Sequence, residues 1–127
     1  MLEFALLAVG AVAGAYLRYR MVESPITVFG LPINILLVNV VGSFVLGVFS
    51  VLLVALNLGS HYSLLIAAGF CGSFTTMSSF ALETVNMFEN NHLRLFTLNI
   101  LVNVGLSIGA VIGGRVAGNV WIEKVMH

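Results

Sequence analysis

Hydrophobic positions fall in four long runs along the chain, separated only by short polar turns. The runs cover roughly residues 4–21, 34–56, 63–87 and 95–117, and a helix needs about 20 apolar residues to cross the hydrocarbon core. They predict an all-α membrane protein of four transmembrane helices, one domain over residues 1–127. Pro25, Gly30 and Pro32 mark the first turn, Asn57 to His61 the second, and Asn90, Asn91 and His92 the third.

The third run is the unusual one. It holds Gly69-Phe70-Cys71-Gly72-Ser73-Phe74-Thr75-Thr76-Met77-Ser78-Ser79-Phe80. A lipid-facing helix has no use for five hydroxyls in so short a stretch. Glycine tolerates backbone that is not helical, and such backbone survives at membrane depth only where protein buries it or it lines a cavity. A helix broken near Gly72 to Thr76 is therefore expected. A continuous helix whose small residues pack against a neighbour is the plainer reading. Freed carbonyls and hydroxyls at a break can ligate ions. Beyond it, Met77 and Phe80 lie near one face, and Glu83 follows one turn later as the one carboxylate within a span. An intramembrane carboxylate is a functional suspect by default, although the interface would also account for it.

Polar residues recur inside the other runs as well. Asn39 and Ser43 are four apart and share a helix face; an amide there either bonds to another helix or lines a polar path. Asn99, Asn103 and Ser107 form a stripe two turns long, open to the same two readings. Gly105, Gly109 and Gly113 form a second stripe on another face. Gly10 and Gly14 make a GxxxG pair that admits a close helix neighbour. Arg18 lies inside the end of the first run, either snorkelling to the interface or facing a polar vestibule. Trp121 is expected beyond the fourth helix, as an interface aromatic in a short tail.

Composition sharpens this picture. The chain is 60% hydrophobic and 8% charged, where soluble domains are near a quarter charged, and its mean hydropathy is +1.10. Net charge is zero, so no basic surface calls for nucleic acid. The N-terminus lacks a basic n-region, and a cleavable signal peptide is not expected. One cysteine, Cys71, permits no internal disulfide, and His61, His92 and His127 have no ligand spacing. There is no aspartate, no triad pattern and no phosphate loop, so an enzyme is not expected.

With alternating spans, Arg18, Arg20 and Arg94 fall on one side and Arg115 and Lys124 on the other. So slight a bias does not fix orientation. Insertion both ways round, and an antiparallel homodimer, are expected; a four-helix unit is also thin for walling a pore alone. Asn amides and Ser hydroxyls can donate to an anion, and the edge of a phenyl ring is weakly positive. Such a path suits a small, strongly hydrated anion, whereas carbonyls at the third-helix break suit a cation. Both hold if the cation is fixed and the anion moves. The alternatives are a small four-span proton-coupled exporter, which needs an embedded carboxylate, and a non-conducting subunit whose polar stripes only join helices.

Gly10-x-x-x-Gly14-Ala15-x-x-Arg18-Tyr19, Asn39-x-x-Gly42-Ser43-Phe44-x-x-Gly47 and Gly69-Phe70-Cys71-Gly72-x-x-Thr75-Thr76-x-Ser78-x-Phe80 resemble the Fluc-type (CrcB-type) fluoride channels. The third motif is the most specific. The resemblance implies a dual-topology homodimer in the cell (inner) membrane, with two antiparallel pores that pass fluoride down its gradient and out of the cytoplasm. It implies a structural sodium ion (Na+) held by the carbonyls of Gly72 and Thr75 from each subunit. It assigns the fluoride pathway to Asn39, Ser43, Thr76, Ser78, Phe80 and Glu83, and places Arg18 at a vestibule. Met77 stands where the family usually has a second phenylalanine. Asn99 and Asn103 stand where it has a tyrosine and a serine, and Ser107 matches its hydroxyl. These amides are expected to replace the lost polar contacts.

Overall fold

The computed structural model describes residues 1–126; His127 lies outside the described residues. The first span is helix α1, Leu2–Val22. It ends just before Ser24-Pro25, where proline disfavours helix in the residue ahead of it. Two short strands follow, β1 (Thr27–Val28) and β2 (Leu31–Pro32), paired antiparallel. Phe29 and Gly30 join them, both at positive φ, as the tightest hairpin turn requires. Asn34 ties this hairpin down: its side chain accepts from the Ile26 N–H and donates to the carbonyls of Met21 and Ser24.

The second span is α2, Ile33–Ala55. It closes with Asn57 at positive φ, the Asn57 N–H bonded to Val54 O and the Leu58 N–H to Leu53 O. The third span, Ser60–Glu89, begins with the single turn α3 (Ser60–Tyr62) and widens into a π-helical segment, Ser63–Cys71. One α turn, α4 (Gly72–Phe74), precedes the break, and α5 (Met77–Glu89) resumes after it. Helix α5 closes as α2 does, with Asn91 at positive φ and the N–H groups of Asn91 and His92 on Phe88 O and Met87 O. Both ends thus use asparagine where glycine is the usual left-handed residue, and both satisfy the last carbonyls. The fourth span is α6, Leu93–Met126.

Four helices long and apolar enough to cross a bilayer make this a multi-pass membrane protein. Helix α6 has 34 residues, about 50 Å at 1.5 Å per residue. It outruns the hydrocarbon core and carries Trp121 within the helix, not in a tail beyond it.

Glycines set the packing. Helix α1 lies along the third span, where a Cβ on Gly10 would overlap Leu65 O and one on Gly14 would overlap Phe70 O. Helix α2 lies along α6 through Gly47 and Gly114, each against the other helix's carbonyls. Lipid tails are as apolar as the helices, so close backbone approach supplies the attraction that hydrophobic burial supplies in water. Among the described residues, Gly105, Gly109 and Gly113 have nothing within 4 Å of a built Cβ. The sequence stripe therefore marks a face left open within the chain.

Candidate functional site

The break falls at Thr75 and Thr76, both extended (φ −79°, ψ 158° and φ −145°, ψ 112°). Gly72, within the stretch expected to break, is helical (φ −63°, ψ −30°). Gly72 therefore does not supply the extended backbone of the break, and Gly69 lies before it in the π-helical segment. Gly69 instead admits α1, its built Cβ lying 3.0 Å from Leu7 O and 3.1 Å from the Gly10 Cα.

Asn39 holds the break open. Its Oδ1 accepts from the Thr76 N–H at 2.8 Å, and its Nδ2 donates to Thr76 O at 3.2 Å. One side-chain amide thus pairs both backbone polar groups of the buried Thr76, as a neighbouring strand would. The Thr76 side chain then caps α5 by accepting from the Ser79 N–H at 3.2 Å. On the other side, Thr75 bonds back to Cys71 O through its N–H and its hydroxyl. An unbroken α-helix would send the Thr76 N–H to Gly72 O and the Ser79 N–H to Thr75 O. Both donors are diverted, so those two carbonyls lose their helical partners.

A cavity of about 400 Å³ lies beside the break. Helix α2 contributes Asn39, Gly42, Ser43 and Leu46 to its wall. The third span contributes Gly72, Thr75, Thr76, Met77 and Phe80, and α6 contributes Asn103 and Ser107. Its wall contains no charged side chain. Met77 is 75% exposed and forms the open lip. A second cavity of about 280 Å³ lies on the α1 side, between Arg18, Tyr19, Val22 and Glu23 of α1 and Thr76, Ser78 and Ser79. Thr76 belongs to both walls. Arg18 makes no ion pair among the described residues, whereas Arg20 pairs with Glu23 at 3.2 Å. The second cavity thus meets a free guanidinium and the N-terminus of α5, both attractive to anions.

Asn99 lines neither cavity. It is buried between α5 and α6, donating to Thr84 Oγ1 at 3.0 Å. The Thr84 hydroxyl in turn donates to Phe80 O at 2.6 Å. Asn103 donates to Asn99 Oδ1 at 2.9 Å and to Asn99 O at 3.0 Å. The polar stripe of α6 therefore divides: Asn99 braces the turn that carries Phe80, while Asn103 and Ser107 reach the cavity. Glu83 is half-buried and lines neither cavity. Thr84 was missed by sequence reasoning; a threonine four residues after Phe80, able to bond back to its carbonyl, was the available signal.

The family model described as CrcB-like protein, Camphor Resistance (CrcB), matches residues 5–115. A relative from Nitrosopumilus maritimus, named fluoride-specific ion channel FluC, is 59% identical over 114 residues, covering 90% of each chain. The protein of that name from Methanococcus maripaludis is 42% identical over 118 residues, 92% of this chain and 96% of its own. A third, from a Sulfurihydrogenibium species, is 41% identical over 117 residues, covering 90% of this chain and 94% of its own.

Proposed function

The chain belongs to the CrcB-like family, and from that membership we propose that it is a fluoride-specific channel exporting fluoride passively across the cell membrane. The relatives named above are ion channels, not enzymes. The observation that carries the reading is the cavity beside the break, whose wall offers neutral hydrogen-bond donors and a phenyl ring without a carboxylate. Asn39 uses one Nδ2 hydrogen on Thr76 O and keeps a second to offer an anion. The hydroxyls of Ser43 and Ser107 add two donors, and Phe80 its ring edge. Met77 gives a flexible, polarisable wall in place of a second ring. Arg18, Ser78 and the α5 N-terminus collect anions in the second cavity, which adjoins the first at Thr76.

A proton-coupled exporter would need a titrating carboxylate in that wall, and Glu83 stands outside it.

The same wall supports assembly as a homodimer. The cavity is open along Leu46, Met77, Val104 and Ile108, all exposed large hydrophobics. A second, oppositely inserted copy would close it and give two antiparallel pores. The carbonyls of Gly72 and Thr75, released by the diversion of their helical donors, suit a hard monovalent cation. Two neutral oxygens are too few for one, so a structural sodium would take the same pair from each copy.

The test is fluoride efflux from liposomes holding the purified protein, followed with an ion-selective electrode and valinomycin to clamp potassium. Rapid release of fluoride but not chloride is expected, stalling without valinomycin. Release of neither anion from folded, dimeric protein would overturn the reading.

A further inference from the structure

Hydrogen-bond direction along α5 and α6 is fixed from one end. Phe80 O can only accept, so the Thr84 hydroxyl donates to it. Thr84 Oγ1 must then accept from Asn99 Nδ2, which leaves Asn99 Oδ1 to accept from Asn103 Nδ2. Asn99 O accepts from the same nitrogen. Turning the Asn103 amide over would lose two hydrogen bonds and set its oxygen against two others. The Asn103 oxygen is therefore forced to the free end of the chain. Asn103 is 4% exposed, and its Oδ1 is buried without a hydrogen-bond partner among the described residues. An unpaired buried acceptor costs about 1–3 kcal/mol, so a donor is required. Asn103 borders the cavity, so a donor can approach from that side.

That oxygen is the wrong partner for an anion. Two centres of negative charge repel unless a hydrogen donor stands between them. We propose that Asn103 Oδ1 binds a cavity water as a relay, one O–H donated to the amide oxygen and the other to the passing anion. The relay rests on the fluoride-channel reading and refines it. The Asn103 amide does not touch fluoride; it orients the water that does. Asn99 and Thr84 act through it as positioning residues, because they fix which end of the amide faces the cavity. Water is the donor of the right size and supplies two hydrogens, and buried waters commonly satisfy such orphaned groups.

The test uses full-length protein in liposomes, with ¹³Cγ-labelled asparagine and water-edited solid-state NMR in fluoride-free buffer. The Asn103 and Asn99 signals are assigned from Asn103→Leu and Asn99→Leu samples. Magnetisation is expected to pass from water to Asn103 Cγ but not to Asn99 Cγ, although both residues are buried. Fluoride efflux from Asn103→Leu is expected to fall tenfold or more. Wild-type protein that passes fluoride without water transfer to Asn103 would overturn the relay alone. So would full transfer combined with unchanged efflux from folded Asn103→Leu. Wild-type protein that passes no fluoride would overturn the channel reading, and the relay with it.

Discussion

Replacing Asn39 with leucine should open the break it holds. Leucine keeps most of the volume but removes both hydrogen bonds to Thr76. Thr76 is 5% exposed, so bulk water reaches neither group freely. Each unsatisfied buried group costs about 1–3 kcal/mol, and the two together cost roughly 2–6 kcal/mol. The damage should be local, since the neighbouring turns are anchored separately by Thr75 on Cys71 O and by the Thr76 cap on Ser79. Cys71, the single cysteine, is 3% exposed and lies one turn before the break. It therefore serves as the reporter. In native-state labelling with a maleimide, the rate follows the population of the opened state. A loss of 2 kcal/mol should raise it about 30-fold at 1.4 kcal/mol per tenfold, and a larger loss by more. Ser43→Ala, one turn along α2, should leave the rate near wild type. An Asn39→Leu rate within threefold of wild type would refute the bracing role.

Thr84→Val should destabilise the protein by about 1–3 kcal/mol, because it strips Phe80 O of a donor and Asn99 Nδ2 of an acceptor. Thr97→Val, whose exposed hydroxyl bonds only Leu93 O, should be silent in the same thermal unfolding experiment. Gly114→Ala should lower the unfolding temperature by forcing α6 off Phe44 O, whereas Gly113→Ala, with open space at its Cβ, should keep or raise it. Arg18→Gln should slow fluoride efflux at low ionic strength and approach wild type in high salt, as expected for anion attraction by a half-buried charge that still faces an open cavity.

Much of the architecture is local and was legible in the sequence. Hydrophobic run length dictates four spans because a bilayer admits few other solutions. Asn57, Gly30 and Asn91 mark turns because they tolerate positive φ. The hydroxyl-rich third run announced a break, and the motifs around Asn39, Gly42 and Thr75 announced the family. Where α6 ends was less legible, because Gly118-Asn119 look like a stop, yet Gly118 stays helical and packs against Val48 and Val51 of α2.

What sequence could not decide was direction and partnership. Asn39, Asn99 and Asn103 read alike as embedded amides, yet one braces a break, one braces a neighbouring helix and one reaches a cavity. The difference lies in which backbone carbonyl or hydroxyl stands opposite, and that is set by helix rotation and crossing. The sequence allowed a break anywhere from Gly72 to Thr76, and the extended backbone with its diverted donors places it at the far end of that stretch, at Thr75 and Thr76. Gly114 packs a helix seam while Gly113 beside it faces open space, a distinction that a one-residue step along a helix makes and composition does not. Periodicity names the candidates for each face. Only the packed helices decide which face meets protein, and so which polar groups remain for an ion.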